Sequence, residues 1–217
     1  MSSPKDRPAQ RFGEIPGAPI GTTWKNRREC FDAGVHRQLE PGISGTEATG
    51  AFSIVVSGQY IDDKDEGDTI IYTGSGGHIP SDNVRDQEWS DLGNEALRKS
   101  SQTGKPVRVI RGSDLGSEFA PWEGYRYDGL YICKRAWKEK NRDGYYDICR
   151  YIMERVPGQP PLRRRSAASG VYKLLPGSEI VQPPAPTPTP APGTGRHGIR
   201  QQIQASLIND HSWLADQ

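Results

Sequence analysis

The stretch that most constrains this chain is its longest run of strand-like alternation, residues 129–155, broken once by Asn141-Arg142-Asp143-Gly144. Apolar and polar side chains alternate on both sides of the break (Leu130 and Ile132; Ile148, Arg150 and Ile152), and an Asp-Gly pair between two such runs favours a tight turn. The pattern predicts a long antiparallel hairpin with strands over 129–137 and 145–155. Further strands are expected over 51–57, 69–73 and 107–111, each a β-branched or aromatic run bounded by punctuating residues. Helical signals are fewer. Residues 89–99 place Trp89, Leu92, Ala96 and Leu97 on one face ahead of Gly104, and a weaker helix is expected over 23–33. The expected class is α+β, predominantly β, and no internal repeat is found.

A chain of 217 residues suits one domain with appendages. Only 33% of its residues are apolar, and 25 Gly with 18 Pro approach a fifth of the chain, so part of it is not expected to pack. Residues 1–11 read as a disordered lead-in, 12–157 as the domain, and 158–182 as a loop-like extension carrying the triple arginine Arg163-Arg164-Arg165. A Pro-rich linker of polyproline type follows over 183–195, giving a disordered Pro-rich C-terminal tail. Ile199, Ile203 and Leu207 recur at four-residue spacing within 196–217, which predicts a short helix able to dock on a protein partner or on the domain. Apolar runs such as Ile54-Val55-Val56 are far too short to span a membrane, and the N-terminus lacks an apolar signal core, so no membrane association or secretion is expected. The odd count of three cysteines, at no metal-like spacing, suits reduced intracellular thiols.

Charge is unevenly spread. Residues 12–157 carry 19 Lys and Arg against 23 Asp and Glu, and the flanks together carry 9 against 4. Binding by counterion release normally shows a clear basic face, so any nucleic-acid binding here must rest on local basic residues and specific pockets.

Few constellations carry chemistry on their own. The Gly-rich run from Tyr72 to Gly77 lacks the ending of a phosphate-binding P-loop and the spacing of a dinucleotide fingerprint, and by itself reads as a flexible turn. Asp62, Asp63, Asp65, Glu66 and Asp68 fit no calcium-loop register, which leaves a solvated acidic loop as the default. Tyr60 and Tyr72 bracket that loop, and a carboxylate held beside aromatic rings would be a specific hydrogen-bond acceptor. The four histidines form no catalytic or metal pattern, and Cys133 and Cys149 sit mid-strand without a nearby His. No catalytic residue, metal ligand or cofactor is expected. The triple arginine reads equally as a DNA contact, a localisation signal or a solubilising loop.

Taken in order, GEIPGAPIGT from Gly13, Gly34-Val35-His36-Arg37, Gly42-Ile43-Ser44-Gly45, Gly58-Gln59-Tyr60-Ile61-Asp62-Asp63, Tyr72 to Gly77, Gly104 to Val109 and Tyr125-Arg126-Tyr127-Asp128-Gly129 resemble the SRA domain, also called the YDG domain. The resemblance spans about residues 12–157. It implies a curved, partly open β-barrel of the PUA-like kind flanked by short helices, which reads 5-methylcytosine in double-stranded DNA by flipping the base out. An extruded cytosine loses stacking and pairing worth a few kcal/mol, so its pocket must restore both.

On the family pattern Tyr60 and Tyr72 would sandwich the ring, at about 1–3 kcal/mol per stacking contact. Asp63 would accept from the cytosine N4 amine, whereas thymine would present it with a second acceptor. Thr73, with backbone amides near Gly42, Ser57 and Gly58, would serve the O2 and N3 edge and the phosphate, and Ser75 would border the methyl. One buried methyl contributes about 0.8 kcal/mol, so a preference over plain cytosine of tens-fold at most is expected. The resemblance places a finger loop at 81–85, where Asn83-Val84-Arg85 stands for the family's Asn-Lys-Arg. There Arg85 would pair with the orphaned guanine and Asn83 would lie over the opposite cytosine.

The minor-groove thumb would be Gln38-Leu39-Glu40-Pro41. Glu40 occupies the place of a small apolar wedge, so Leu39 or Gln38 would insert instead. Tyr127-Asp128-Gly129 is expected to be structural, as are Trp24, Trp122 and Trp137, while Arg108, Arg111 and Lys105 would be phosphate contacts or solvated charges. The function implied is that of a non-catalytic nuclear reader or adaptor. The competing readings are a nuclease or base-processing enzyme using the acidic cluster to hold Mg²⁺, and a degenerate domain kept as an interaction scaffold.

Overall fold

In the computed structural model, residues 11–79, 82–83 and 85–165 are described, the side chains of 78, 79, 82 and 83 excepted. The expected lead-in (all but residue 11), the Pro-rich linker and the helix carrying Ile199, Ile203 and Leu207 therefore lie outside the described residues. In chain order the elements are β1 (Thr23–Trp24), α1 (Arg27–Asp32), β2 (Ile43–Thr46), β3 (Gly50–Val56), β4 (Lys64–Asp65), β5 (Thr69–Thr73), β6 (His78–Ile79), β7 (Asp82–Asn83), α2 (Asn94–Thr103), β8 (Pro106–Gly112), β9 (Tyr125–Lys140) and β10 (Asp147–Arg155). The fold is mostly β, with one open sheet in the order β2-β3-β8-β9-β10-β5-β4 and β1 added against β9. Its edges, β2 and β4, do not meet. Within this sheet β3 and β8 pair in parallel, with α2 in the crossover between them, and the other pairings are antiparallel. Register shifts at Ser44/Gly45, Val109/Ile110 and Ile152/Met153 mark irregularities of the kind that bend a sheet.

The long hairpin forms as expected, but its turn is wider than the Asp-Gly pair suggests. Lys140 pairs with Asp147, leaving a loop over 141–146 in which Asn141 Oδ1 accepts from the Tyr145 and Tyr146 amides at 3.0 and 3.1 Å. The simple alternation also misreads its faces. Tyr131, Cys133, Cys149, Tyr151 and Met153 enter the main core with Ile54, Val56, Ile70, Leu97 and Val109, while Leu130, Ile132 and Ile152 are half-buried. Ile148 and Arg150 are buried as well, so much of β10 is covered on both faces and period two no longer separates inside from outside. Burial pushes the thiols of Cys133 and Cys149 up to about 12, in keeping with inert packing.

The two expected helices shift. α2 begins at Asn94, five residues late, because the Asn94 side chain is buried and engaged with the backbone of Ser75 and Glu88. Leu92 precedes it and is exposed, and Trp89 packs edge-on against Tyr151. Of residues 23–33, the first two form β1, and Asn26 in extended backbone caps the shorter α1 by accepting from the Glu29 amide.

Arg108 and Arg111 are not solvated charges but interior ties. Arg108 donates to the carbonyls of Val35, Arg11 and Gly13, pinning the N-terminal segment to the sheet. Arg111 bonds Asp65 at 2.7 and 2.9 Å, Asp128 at 3.0 Å and the Gly67 carbonyl at 2.8 Å. Arg126 also pairs with Asp128, so this acid joins two cations in the interior. Gly129 has φ 114°, and a Cβ there would stand 2.5 Å from Gln159 Oε1. The bare backbone lets the Gln159 amide bond both the N–H and the carbonyl of Leu130. Tyr127-Asp128-Gly129 is thus structural, as expected.

Candidate nucleic-acid interface

β3 runs directly into Ser57, Gly58 and Tyr60, and the chain turns back where the Asp63 amide donates to the Tyr60 carbonyl. That turn lays Asp63 against the end of β5, where its Oδ1 accepts from the Thr73 amide at 2.7 Å. Burial pushes the Asp63 carboxyl up to about 7, against the Thr73 amide and hydroxyl and the Arg150 charge, which pull it down. Burial likewise raises the phenol pKa values of Tyr60 and Tyr72, and the Asp63 charge raises both further. The structure therefore brings Tyr60, Asp63, Tyr72 and Thr73 into one electrostatic cluster.

Each wall of the cluster has its own support. Tyr72 is 3% exposed and leans on Tyr151 at a centroid distance of 6.5 Å. Its hydroxyl abuts Gly42, where a Cβ would lie only 2.5 Å away, so a larger residue would push the ring. Thr73 Oγ1 accepts from Arg150 at 2.5 Å, and Arg150 in turn pairs with Glu139. Ser75 is fixed through its backbone, donating to Asn94 Oδ1 at 2.7 Å and accepting from Asn94 Nδ2 at 3.0 Å. Gln87 bonds the carbonyls of Gly74 and Gly76 and accepts from the Cys149 amide. The Gly-rich run is locked, not a flexible turn.

The acidic loop is solvated only in part, at Glu66 and Asp68. Asp63 and Asp65 turn inward to Thr73 and Arg111, Asp62 accepts from the Arg142 amide at 2.9 Å, and Asp68 lies beside Arg155. Among the described residues no cluster of His, Cys, Asp and Glu could hold a metal ion.

The remaining expected site residues lie at the rim. Asn83 stands opposite His78 in the β6–β7 ribbon. Arg85 is exposed and forks onto Asp91 at 2.8 and 2.9 Å. Gln38, Leu39 and Glu40 occupy the loop between α1 and β2, with Leu39 38% exposed. Ser57 is half-buried and Gly58 exposed.

Sequence reasoning missed the residues that hold this loop. Arg27 donates to the carbonyls of Gln38 and Pro41 at 3.2 and 2.5 Å. His36, fully buried, reaches the same Pro41 carbonyl from Nε2 at 3.0 Å and Ser53 Oγ from Nδ1 at 2.9 Å. A carbonyl only accepts, so Nε2 carries the proton. Burial and the Arg27 charge push the imidazole down to about 3, keeping it neutral. The signal was available in Gly34-Val35-His36-Arg37, since a histidine just ahead of a Pro-Gly turn can brace it.

A family model described as the SAD/SRA domain matches residues 11–159. The chain belongs to the SAD/SRA family. A UHRF1-like protein of Cryptococcus neoformans var. grubii serotype A is 40% identical over 166 residues, covering 71% of this chain and 48% of that protein. This SRA chain therefore spans about half the length of that relative, and 27% of others. Among solved structures, the modification-dependent TagI restriction endonuclease is 44% identical with a TM-score of 0.66, covering 69% of this chain and 53% of the other. The SRA domain of SUVH5 bound to fully hydroxymethylated CG DNA is 36% identical with a TM-score of 0.61, covering 70% and 99%. The same domain has been solved with hemimethylated CG and methylated CHH DNA.

Proposed function

We propose that this SRA chain is a non-catalytic reader of double-stranded DNA containing 5-methylcytosine, and that it takes the modified base out of the helix. One observation carries the reading: a single turn after β3 brings Tyr60 and an enclosed carboxyl, Asp63, against Tyr72 and Thr73 at the end of β5. Two phenol faces supply the stacking that an extruded base loses, and the ionised carboxylate accepts from its N4 amine. Ser75, locked by Asn94, borders the methyl, while Gly42, Ser57 and Gly58 offer backbone groups to the remaining edge and phosphate. At the rim, Arg85 leaves Asp91 to meet the orphaned guanine, Asn83 covers the opposite base, and Leu39 or Gln38 fills the minor-groove side, with Glu40 held away from phosphate.

A nuclear site of action follows from this partner, and the C-terminal Ile199, Ile203 and Leu207 are the segment through which an adaptor would recruit protein. Hydrolysis by the acidic cluster is the weaker reading, because Asp62, Asp63 and Asp65 are already committed to protein donors. The test is a titration of methylated and unmodified duplexes at stated salt with the wild type and Asp63→Ala, with Mg²⁺ present. A reader shows methyl-dependent binding that Asp63→Ala loses, and leaves both strands intact. Strand cleavage would favour the enzyme, and the absence of methyl dependence in either protein a scaffold.

A further inference from the structure

The triple arginine plays no part in the base pocket. It returns instead to the body of the domain beyond the residues that the family model matches. The Arg165 amide donates to the Glu118 carbonyl, the Arg165 guanidinium to the carbonyls of Ser113 and Pro121, and Arg126 donates to the Arg163 carbonyl. Docked in this way, Arg163, Arg164 and Arg165 close one side of a cavity of about 790 Å³ whose other walls include Trp24, Lys25 and Trp122. That volume suits a small organic ligand.

The lining has an unbalanced charge. Five cations, the three arginines with Lys25 and Arg126, face two carboxylates, Glu29 and Glu123. Arg126 is neutralised by Asp128 and Arg164 by Glu118. Lys25, Arg163 and Arg165 make no ion pair among the described residues. Cations in excess over carboxylates repel one another, and a phosphate is an anion that a guanidinium can bind bidentately.

The second feature is aromatic. Trp122 is 56% exposed, unusually open for an indole, and lies under the Arg165 guanidinium at 5.1 Å from the ring centroid. Surface left open on such a ring offers a flat stacking platform beside the unpaired cations. Glu29 and Glu123 would repel a carboxylate-rich peptide but can accept from base amines or sugar hydroxyls. A ligand with one phosphate, one flat ring and hydrogen-bond donors meets all these conditions.

We propose that this cavity binds a nucleotide unit of single-stranded nucleic acid, its base stacked on Trp122 and its phosphate held by Lys25 and Arg163. The site is separate in residues from the base pocket and does not rest on methylated-DNA recognition. The experiment titrates the full chain with a short oligothymidylate and follows tryptophan fluorescence, comparing wild type, Trp122→Ala and Arg163→Ala. All of the altered side chains are exposed or half-buried, so the fold is expected to survive.

The expected result is quenching in the wild type and binding weakened about tenfold in each variant, with the Arg163→Ala complex less sensitive to salt. Methylated-duplex affinity stays unchanged in both, which keeps this result distinct from failure of the base pocket. Binding that persists undiminished in both variants overturns the proposal. So does equal competition by inorganic phosphate, which would mark a simple anion site, or by an acidic peptide, which would mark a protein-binding one.

Discussion

Tyr72 is 3% exposed on a strand paired residue by residue with β10, whereas Tyr60 rides half-buried on the loop that follows β3. The same contrast runs through the rest of the site. Behind the cluster, Thr73 is tied to Arg150, Ser75 to Asn94, and the acidic loop to Arg111 through a buried ion pair at 2.7 Å. At the rim, Arg85 holds an exposed pair with Asp91 and donates to the Asp86 carbonyl, and Leu39 and Glu40 project from a loop fixed at its base by Arg27 and His36. A pocket that selects a base needs donors and acceptors that do not reorganise, and one that admits an extruded base needs a wall that yields. On the proposed reading the back supplies the first and the rim the second.

Five predictions sharpen that contrast. The largest effect belongs to the back. Arg111→Ala strands Asp65 and Asp128 in the interior, and loss of one partner of a buried pair costs about 3–5 kcal/mol, to be read from denaturant unfolding. A loss below about 1 kcal/mol would show that the network does not hold the loop.

Next comes the yielding wall. Tyr60→Ala removes one stacking face, worth about 1–3 kcal/mol, so affinity for a methylated duplex falls roughly 5- to 150-fold while the melting temperature stays nearly constant. Gly42→Ala, which drives a methyl toward the Tyr72 hydroxyl, weakens the same binding in the same assay. Equal stability loss in Tyr60→Ala and Arg111→Ala would erase the distinction between rim and back.

Asp63 gives a pH signature with opposite signs in folding and binding. Its folded pKa, about 7, lies above the ordinary value of 3.8, so the folded state retains a proton that the unfolded state releases. Its contribution to stability is present below pH about 4 and is lost as pH rises to about 7. The ionised form accepts more strongly from an amine, so affinity for the methylated duplex increases through the same range. Asp63→Asn flattens both limbs, as calorimetry and binding from pH 5 to about 8 would show.

The smallest effect is at the finger. Asp91→Asn removes the charge that pairs with the exposed Arg85, so duplex affinity rises at most about fivefold, less at high salt. A loss of affinity would place Asp91 in a supporting role instead.

The strands were legible because they are long and β-branched: β5 spans the expected residues, and β3 and β8 differ by one at either end. The phase of β10 was not legible, because burial on both faces removes the alternation on which the reading depends. Local acid and glycine content also misled, since whether Asp65 meets water or Arg111 is decided 46 residues away in sequence. The base-pocket residues came from the order of family motifs, and the structure adds their supports. Arg27, Gln87 and Arg150 act through partners distant in sequence, and no spacing along the chain announces such contacts.

The central claim is that the modified cytosine leaves the helix and enters between Tyr60 and Tyr72. Fluorescence of 2-aminopurine placed beside 5-methylcytosine in a duplex reports that unstacking directly. The expected result is a saturable rise with the wild type that Asp63→Ala and Tyr60→Ala abolish at matched occupancy. A saturated complex with no rise, or a rise that both variants preserve, would contradict it.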